Sequence, residues 1–256
     1  MLTIDLQDKT ALVIGGSRGI GAEITRTLCR AGASTLFTHT GNSKHQNQVS
    51  SLLKEIHDAG GTAEAEVLQA CDSAATTRLI QKLTSKWSRI DLLVCNVGQN
   101  LAQPAENVTD EGWRKFIDIN LSSAFYAVRA VLPLMMASKH GRIILIGSSV
   151  VYDGGGGAID YAAGKAGLAG MMAYLTRNYA RKGILTNIIH PCVIETDLLK
   201  ERYGTPEKKQ KLIEQVPAGR LGQPRDIAGL VAYLASSWGD FICGQAILVD
   251  GGRTIF

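Results

Sequence analysis

Tyr161 and Lys165 stand four residues apart in DYAAGKAG, so a helix there would carry both side chains on one face, and Ser148 closes the apolar run that precedes them. Tyrosine alone is a poor acid or base at neutral pH because its pKa is ~10. A neighbouring ammonium favours the phenolate, and lowering the pKa by about three units asks for about 4 kcal/mol of charge stabilisation. On this reading Ser148 hydrogen-bonds a substrate oxygen while Tyr161 exchanges its proton, and Lys165 is expected to pull the Tyr161 pKa down. An aromatic and a lysine at chance helical spacing is the plain alternative. It loses ground because a second motif earlier in the chain belongs to the same chemistry.

That motif begins where ALVI runs into Gly15-Gly16-Ser17-Arg18-Gly19-Ile20-Gly21 and then AEITRTL: a strand, a glycine turn and a helix start. Glycines there let the backbone approach a pyrophosphate, whose charge is favoured by the free N–H groups and the positive dipole end of the helix. Its place after the first strand of a repeating β/α chain predicts a dinucleotide site rather than an ordinary tight turn. NAD-preferring sites usually carry an acid at the end of the second strand, where this chain has His39 and Thr40. With no carboxylate to repel a 2′-phosphate and with Arg18 near enough to pair with it, NADP(H) is expected over NAD(H). Arg18 as a solvent-facing turn residue and His39 as an uninvolved surface histidine remain open. Asp72 closes the third strand, where it can accept from an adenine edge. Asn96 and Gly98 follow the fourth strand, which is expected beside the first across a switch in strand order.

With these motifs the chain resembles the short-chain dehydrogenase/reductases over nearly its full length, and looks most like their 3-oxoacyl-acyl-carrier-protein reductase branch. Gly15, Gly19 and Gly21 match the G-x-x-x-G-x-G loop, Tyr161 and Lys165 the Y-x-x-x-K pair, and Asn120 in DINLSSAF the family's Asn. The resemblance implies Tyr161 as general acid/base, Lys165 as the group that tunes it and holds the nicotinamide ribose, Ser148 as the orienter of the carbonyl, and Asn120 as the support of a water-linked proton path. Ser149 also fits the local pattern. Pro191, Ile194 and Thr196 occupy the positions that hold the nicotinamide carboxamide, and the family assembles as a tetramer. Two departures stand out: Cys95-Asn96-Val97-Gly98 replaces the usual N-N-A-G, and Pro191-Cys192 replaces Pro-Gly, which puts a side chain beside the substrate space. Tyr152, Asn100, Ser149 and Cys192 are the candidate substrate contacts. Lys139 and Lys182 fall where carrier-protein reductases place basic residues for their acidic partner.

Seven short β-branched or apolar runs must position these groups: Thr10 to Ile14, Ser34 to Thr38, Ala63 to Leu68, Asp91 to Cys95, Arg142 to Ile146, Leu185 to Ile189 and Ala246 to Val249. Amphipathic stretches alternate with them at Ile20 to Ala31, Lys44 to Ala59, Ala74 to Trp87, Glu111 to Met136, Tyr161 to Lys182 and Arg225 to Ala235. Strand then helix, repeated, predicts an α/β fold, a doubly wound parallel sheet with helices on both faces, in one Rossmann-type domain over 1–256. The charged insertion from Glu195 to Gly222 reads either as a lid over the site or as a solvated helical pair.

Composition narrows the classes. The 256 residues carry 27 Lys plus Arg against 23 Asp plus Glu, a net +4 without a basic block, so nucleic acid is not expected as a partner. Five scattered cysteines without C-x-x-C or zinc spacing predict reduced thiols and no metal site. The start, MLTIDLQDKT, lacks a signal-peptide pattern, and no run was expected to reach the ~18 apolar residues of a membrane helix, so a cytoplasmic protein is predicted. The expected activity is reduction of a ketone by NADPH. The substrate is either a 3-oxoacyl thioester on acyl carrier protein or a polyol, sugar or cyclic ketone. A nucleotide-binding regulatory protein without turnover is the alternative of another class, and the complete Asn120, Ser148, Tyr161, Lys165 set argues against it.

Overall fold

The computed structural model describes residues 3–155, 157–196, 199 and 204–255. Seven parallel strands form one sheet: β1 Thr10–Ile14, β2 Ser34–His39, β3 Ala63–Val67, β4 Leu92–Cys95, β5 Gly141–Ile146, β6 Ile184–Pro191 and β7 Ala246–Val249, in the order β3-β2-β1-β4-β5-β6-β7. The expected runs all became strands, and their ends move by at most two residues. The order reverses between β1 and β4, whose register pairs Ile14 with Cys95. A crevice at the carboxyl ends of these two strands follows from that reversal.

Both faces of the sheet are apolar because both are covered. Val13, Phe37, Val94, Ile144 and Ile189 point to one side, where α1 (Gly19–Arg30), α2 (Gln46–Asp58) and α9 (Pro224–Ala235) bury Ile24, Leu52 and Val231. Leu12, Leu36, Leu93, Leu145 and Ile188 point to the other, against Leu79 of α3 (Ser73–Thr84), Val131 of α5 (Ser123–Ser138) and Leu168 of α7 (Ile159–Tyr179). The period-two alternation within runs that look uniformly apolar is what two-sided burial requires.

The helix expected from Glu111 to Met136 is interrupted. It comprises α4 (Asp110–Ile117), a π turn over Asp118–Ser122 and then α5, and Asn120 lies in the π turn. Taken together, Asp110–Ser138 is long and apolar enough to cross a membrane by length and composition alone. Its Ala127, Val128, Val131 and Met135 face packs into the core. A short helix not anticipated from the sequence, α6 (Val150–Asp153), follows Ser148 directly. Within the insertion, α8 (Pro206–Glu214) begins at the Thr205 cap. Residues 197, 198 and 200–203 of the expected lid lie outside the described residues.

The amino-terminal ends of the central strands are tied by charge. Asp91, 3% exposed, accepts from Thr10 N at 3.0 Å, Thr10 Oγ1 at 3.1 Å and Arg89 Nε at 2.7 Å. Burial alone would push its carboxyl up, but the Arg89 guanidinium and the Thr10 bonds outweigh it and hold the carboxyl below the ordinary aspartate value of 3.8. A depressed pKa contributes stability that is complete above 3.8 and is lost as pH falls through the native value. Asp91→Ala is expected to lower unfolding free energy by about 2–3 kcal/mol in denaturant titrations at neutral pH. The difference from the parent should shrink as pH drops below that value.

Candidate active site

At the carboxyl end of β1 the chain turns through Gly15 (φ +80°) and Gly19 (φ +52°), a left-handed conformation that side chains resist. The loop is latched from two strands. Gly15 N donates to Thr38 Oγ1 at 3.0 Å and Gly16 N to Thr38 O at 3.0 Å, while Asn96 Nδ2 donates to Gly15 O at 2.8 Å. A Cβ on Gly21 would overlap the same Gly15 carbonyl oxygen and fall 2.6 Å from Asn96 Nδ2. Helix α1 then starts at Arg18, which makes no side-chain cap, and its first turn carries no acid. Its leading N–H groups and dipole therefore face the cleft, a preformed place for a pyrophosphate. Arg18 is exposed, with its backbone extended. The Thr196 methyl closes over this loop, 3.2 Å from where a Gly19 Cβ would be.

Lys165 enters from α7 and is 3% exposed. Its Nζ donates to Ile146 O at 2.9 Å and to Val97 O at 3.2 Å, the carbonyls at the ends of β5 and β4. Gly98 leaves the room: a Cβ there would lie 2.9 Å from Nζ and 3.2 Å from Asn120 Oδ1. Burial lowers the Lys165 pKa to about 8. Cys95 lies in the same interior, where burial pushes its thiol up to about 12 and keeps it protonated. Asn120, 1% exposed, donates from Nδ2 to Gln99 O and Phe116 O, both at 2.9 Å, and accepts from Gln99 N at 3.1 Å. In a regular helix the Phe116 carbonyl would bond Asn120 N; the π register moves that residue, as π turns at functional positions often do.

Tyr161 lies near enough to Ser148 for that side chain to lower its pKa, so the structure brings together the pair suggested by the sequence. Ser149 is buried, and its N–H donates to Pro191 O at 2.9 Å. The expected direction of the Tyr161 pKa is corrected. Burial raises it above 10.0 and only Ser148 lowers it, while the Lys165 ammonium donates to the Val97 and Ile146 carbonyls.

The remaining candidates divide. Tyr152, half exposed, packs edge-on against His190 with centroids 5.3 Å apart, and Cys192 Sγ accepts from Arg253 Nη1 at 3.2 Å. Asn100 flanks Tyr161 across Gly157, whose added Cβ would be 2.9 Å from Tyr161 Cδ1 and 3.4 Å from Asn100 Oδ1. Asp72 is occupied as the cap of α3, accepting from Ala75 N at 2.8 Å, and His39 Nδ1 accepts from Gly41 N at 3.2 Å. Thr40 is exposed and its carbonyl accepts from Gln69. Ile194 is buried in a bridge to Gly222. Lys139 and Lys182 come together, since Gly183 sits against the Lys139 carbonyl, but they precede β5 and β6 and lie at the opposite end of the sheet from Ser148. Thr38, Gln99 and His190 were not singled out from the sequence. They act through main-chain contacts that no residue pattern announces.

The family described as enoyl-(acyl carrier protein) reductase matches residues 14–254. The 3-oxoacyl-[acyl-carrier-protein] reductase of Escherichia coli K12 is 38% identical over 97% of this chain and 98% of its own. Among solved structures, a gluconate 5-dehydrogenase from Burkholderia cenocepacia J2315 in complex with NADP and tartrate aligns with a TM-score of 0.90 at 29% identity, covering 99% of this chain and 98% of that one. A short-chain dehydrogenase/reductase from Serratia marcescens aligns at 0.89 and 30% identity, covering 97% and 99%.

Asn96→Ala removes the latch on the Gly15 carbonyl. The expected result is an NADPH dissociation constant about tenfold higher, the worth of about one hydrogen bond, read by fluorescence titration.

Proposed function

The chain belongs to the short-chain dehydrogenase/reductase family and is an NADP-linked oxidoreductase; on that footing we propose that it reduces the 3-keto group of an acyl thioester presented on acyl carrier protein. The observation that carries the chemistry is the approach of Tyr161 to Ser148, from the same helix α7 that buries Lys165. The glycine cradle and uncapped α1 start are suited to the cofactor. Gly15, Ser17, Arg18, Gly19, Ile20 and Gly21 would line the pyrophosphate, with Arg18, His39 and Thr40 toward the 2′-phosphate and Asp72 toward adenine. Asn96, Gly98, Pro191, Ile194 and Thr196 would border the nicotinamide half. Bound there, NADPH supplies the hydride.

The chain's own residues handle the proton. Ser148 Oγ donates to the substrate carbonyl oxygen and holds it beside Tyr161. Tyr161, whose pKa burial raises, is in the form required of an acid at neutral pH. When the phenol gives up its proton, the nearby Lys165 ammonium stabilises the anion left behind, and Asn120 fixes the Gln99 and Phe116 carbonyls beside the path of resupply. Sequence likeness to a carrier-protein reductase supports the acyl substrate. The polar wall of Asn100 and Tyr152 and likeness to a gluconate dehydrogenase support a hydroxylated ketone as the second reading.

Tyr161→Phe is expected to leave NADPH binding nearly intact while lowering turnover by a factor on the order of 10² to 10⁴. Near-native turnover would remove the assignment. NADPH oxidation with acetoacetyl thioesters against a panel of 5-keto sugar acids and cyclic ketones separates the substrate readings. Binding without turnover on any of them would instead favour a regulatory protein.

We also propose a cytoplasmic homo-oligomer, a tetramer by family likeness. Phe125 and Met136 on α5 and Tyr174 on α7 are exposed, and Ala166, Ala169 and Ala173 give α7 a surface that another helix can approach closely. Only in such an assembly could a carrier held at Lys139 and Lys182 serve an active site, because that site would belong to another subunit. Light scattering at micromolar concentration should report a multiple of 27.4 kDa, and a monomer alone would refute it.

A further inference from the structure

His190 is 1% exposed on β6, one strand from the proposed proton-transfer pair. Its ring crosses β5 over Gly147, where a Cβ would lie 2.5 Å from Nδ1, so the missing side chain at 147 is what admits it. Beyond Gly147 the ring reaches the main chain of Ser148. Nδ1 is 3.1 Å from Ser148 N and 2.9 Å from Ser148 O. One nitrogen cannot serve both at once. Unprotonated, Nδ1 accepts the Ser148 N–H; protonated, it can only donate to the Ser148 carbonyl.

We propose that His190 is a positioning residue that fixes the Ser148 hydroxyl by accepting its backbone N–H, and that protonation of His190 breaks this arrangement and lowers turnover. The inference rests on the Ser148 role given above. The other bonds of Ser148 are long: Oγ accepts from Val150 N at 3.3 Å and the carbonyl from Val151 N at 3.4 Å, while the sheet bonds on either side belong to Gly147 N and Ser149 N. Tyr152 of α6 packs edge-on against the ring.

The groups facing His190 set the sign of its titration. Burial disfavours the imidazolium most, the Ser148 carbonyl favours it, and Lys165 of α7 disfavours it, so the pKa falls below the ordinary 6.5. From α6, Tyr152 faces the ring edge-on and Asp153 is paired with Arg253, which also donates to Cys192 two residues beyond His190. Across Ser148 lies Tyr161, protonated. His190 is therefore neutral at pH 7 and charges only as the solution is acidified.

The test compares wild type, His190→Asn and His190→Ala in NADPH-driven reduction of an acetoacetyl thioester across roughly pH 5 to 8, the span in which histidines titrate. In the wild type kcat should fall on the acid side. His190→Ala should lower kcat about tenfold at neutral pH with KM changed less than about threefold, the signature of an interaction serving the chemical step. His190→Asn, whose amide oxygen can accept the same N–H and does not titrate, should recover most of kcat and lose the acid limb. A merely structural histidine would lower the melting temperature and leave the limb in place; an unchanged limb in His190→Asn, or full kcat in His190→Ala, overturns the proposal. If His190→Ala does not fold, the limb of His190→Asn decides. A wild type that turns over no ketone would sink the functional reading instead, and His190 is then judged without turnover. Its ¹⁵N shifts at pH 7 should show the proton on Nε2, and a proton on Nδ1 refutes the inference.

Discussion

The buried ammonium of Lys165 is the constraint around which the site is arranged. Placing a cation among β-strand ends is costly unless its protons are taken up, and Ile146 O and Val97 O take them up at 2.9 and 3.2 Å. Those carbonyls are available because they stand at the ends of β5 and β4, where the ladder has stopped and the next residues are Gly147 and Gly98. One side chain thereby joins α7 to the two central strands, and burial leaves its pKa only near 8. The site is charged but poised, and small changes around it would alter its protonation.

Absence of side chains at a few positions lets the rest come close. Gly98 makes room for Lys165 and Asn120, Gly164 for the Asn120 Cβ at 2.8 Å, Gly147 for His190 and Gly21 for the Gly15 carbonyl. The π turn does comparable work on the opposite side of α7. It carries Asn120 into the interior with its amide fully bonded, at the cost of helical regularity over Asp118–Ser122. These positions form a shell of close main-chain approach around two polar side chains.

Burial shifts the two ionisable groups of α7 in opposite senses. Tyr161 is raised by burial and Lys165 is lowered by it, so the neutral phenol and a readily discharged ammonium sit on one helix face. That division of states belongs to a proton donor awaiting a developing alkoxide.

The sequence by itself determined the strands, the glycine turn and the Tyr161–Lys165 pairing, because each depends on neighbours within a few residues: alternation, positive φ at glycine, an i, i+4 face. It also located Asn120 and Ser148, through a likeness to chains with the same short motifs. It left Ser148 and Ser149 open, since adjacent residues differ only in which way the chain turns after β5. Tertiary structure brings Ser148 beside Tyr161 and sends Ser149 N to Pro191 O, a placement that no local pattern gives. It also reversed the expected pKa of Tyr161, because folding buries the phenol. Thr38 and His190 were invisible for the same reason: every residue carries the same main-chain N–H and C=O, and only folding shows which of them a side chain will meet.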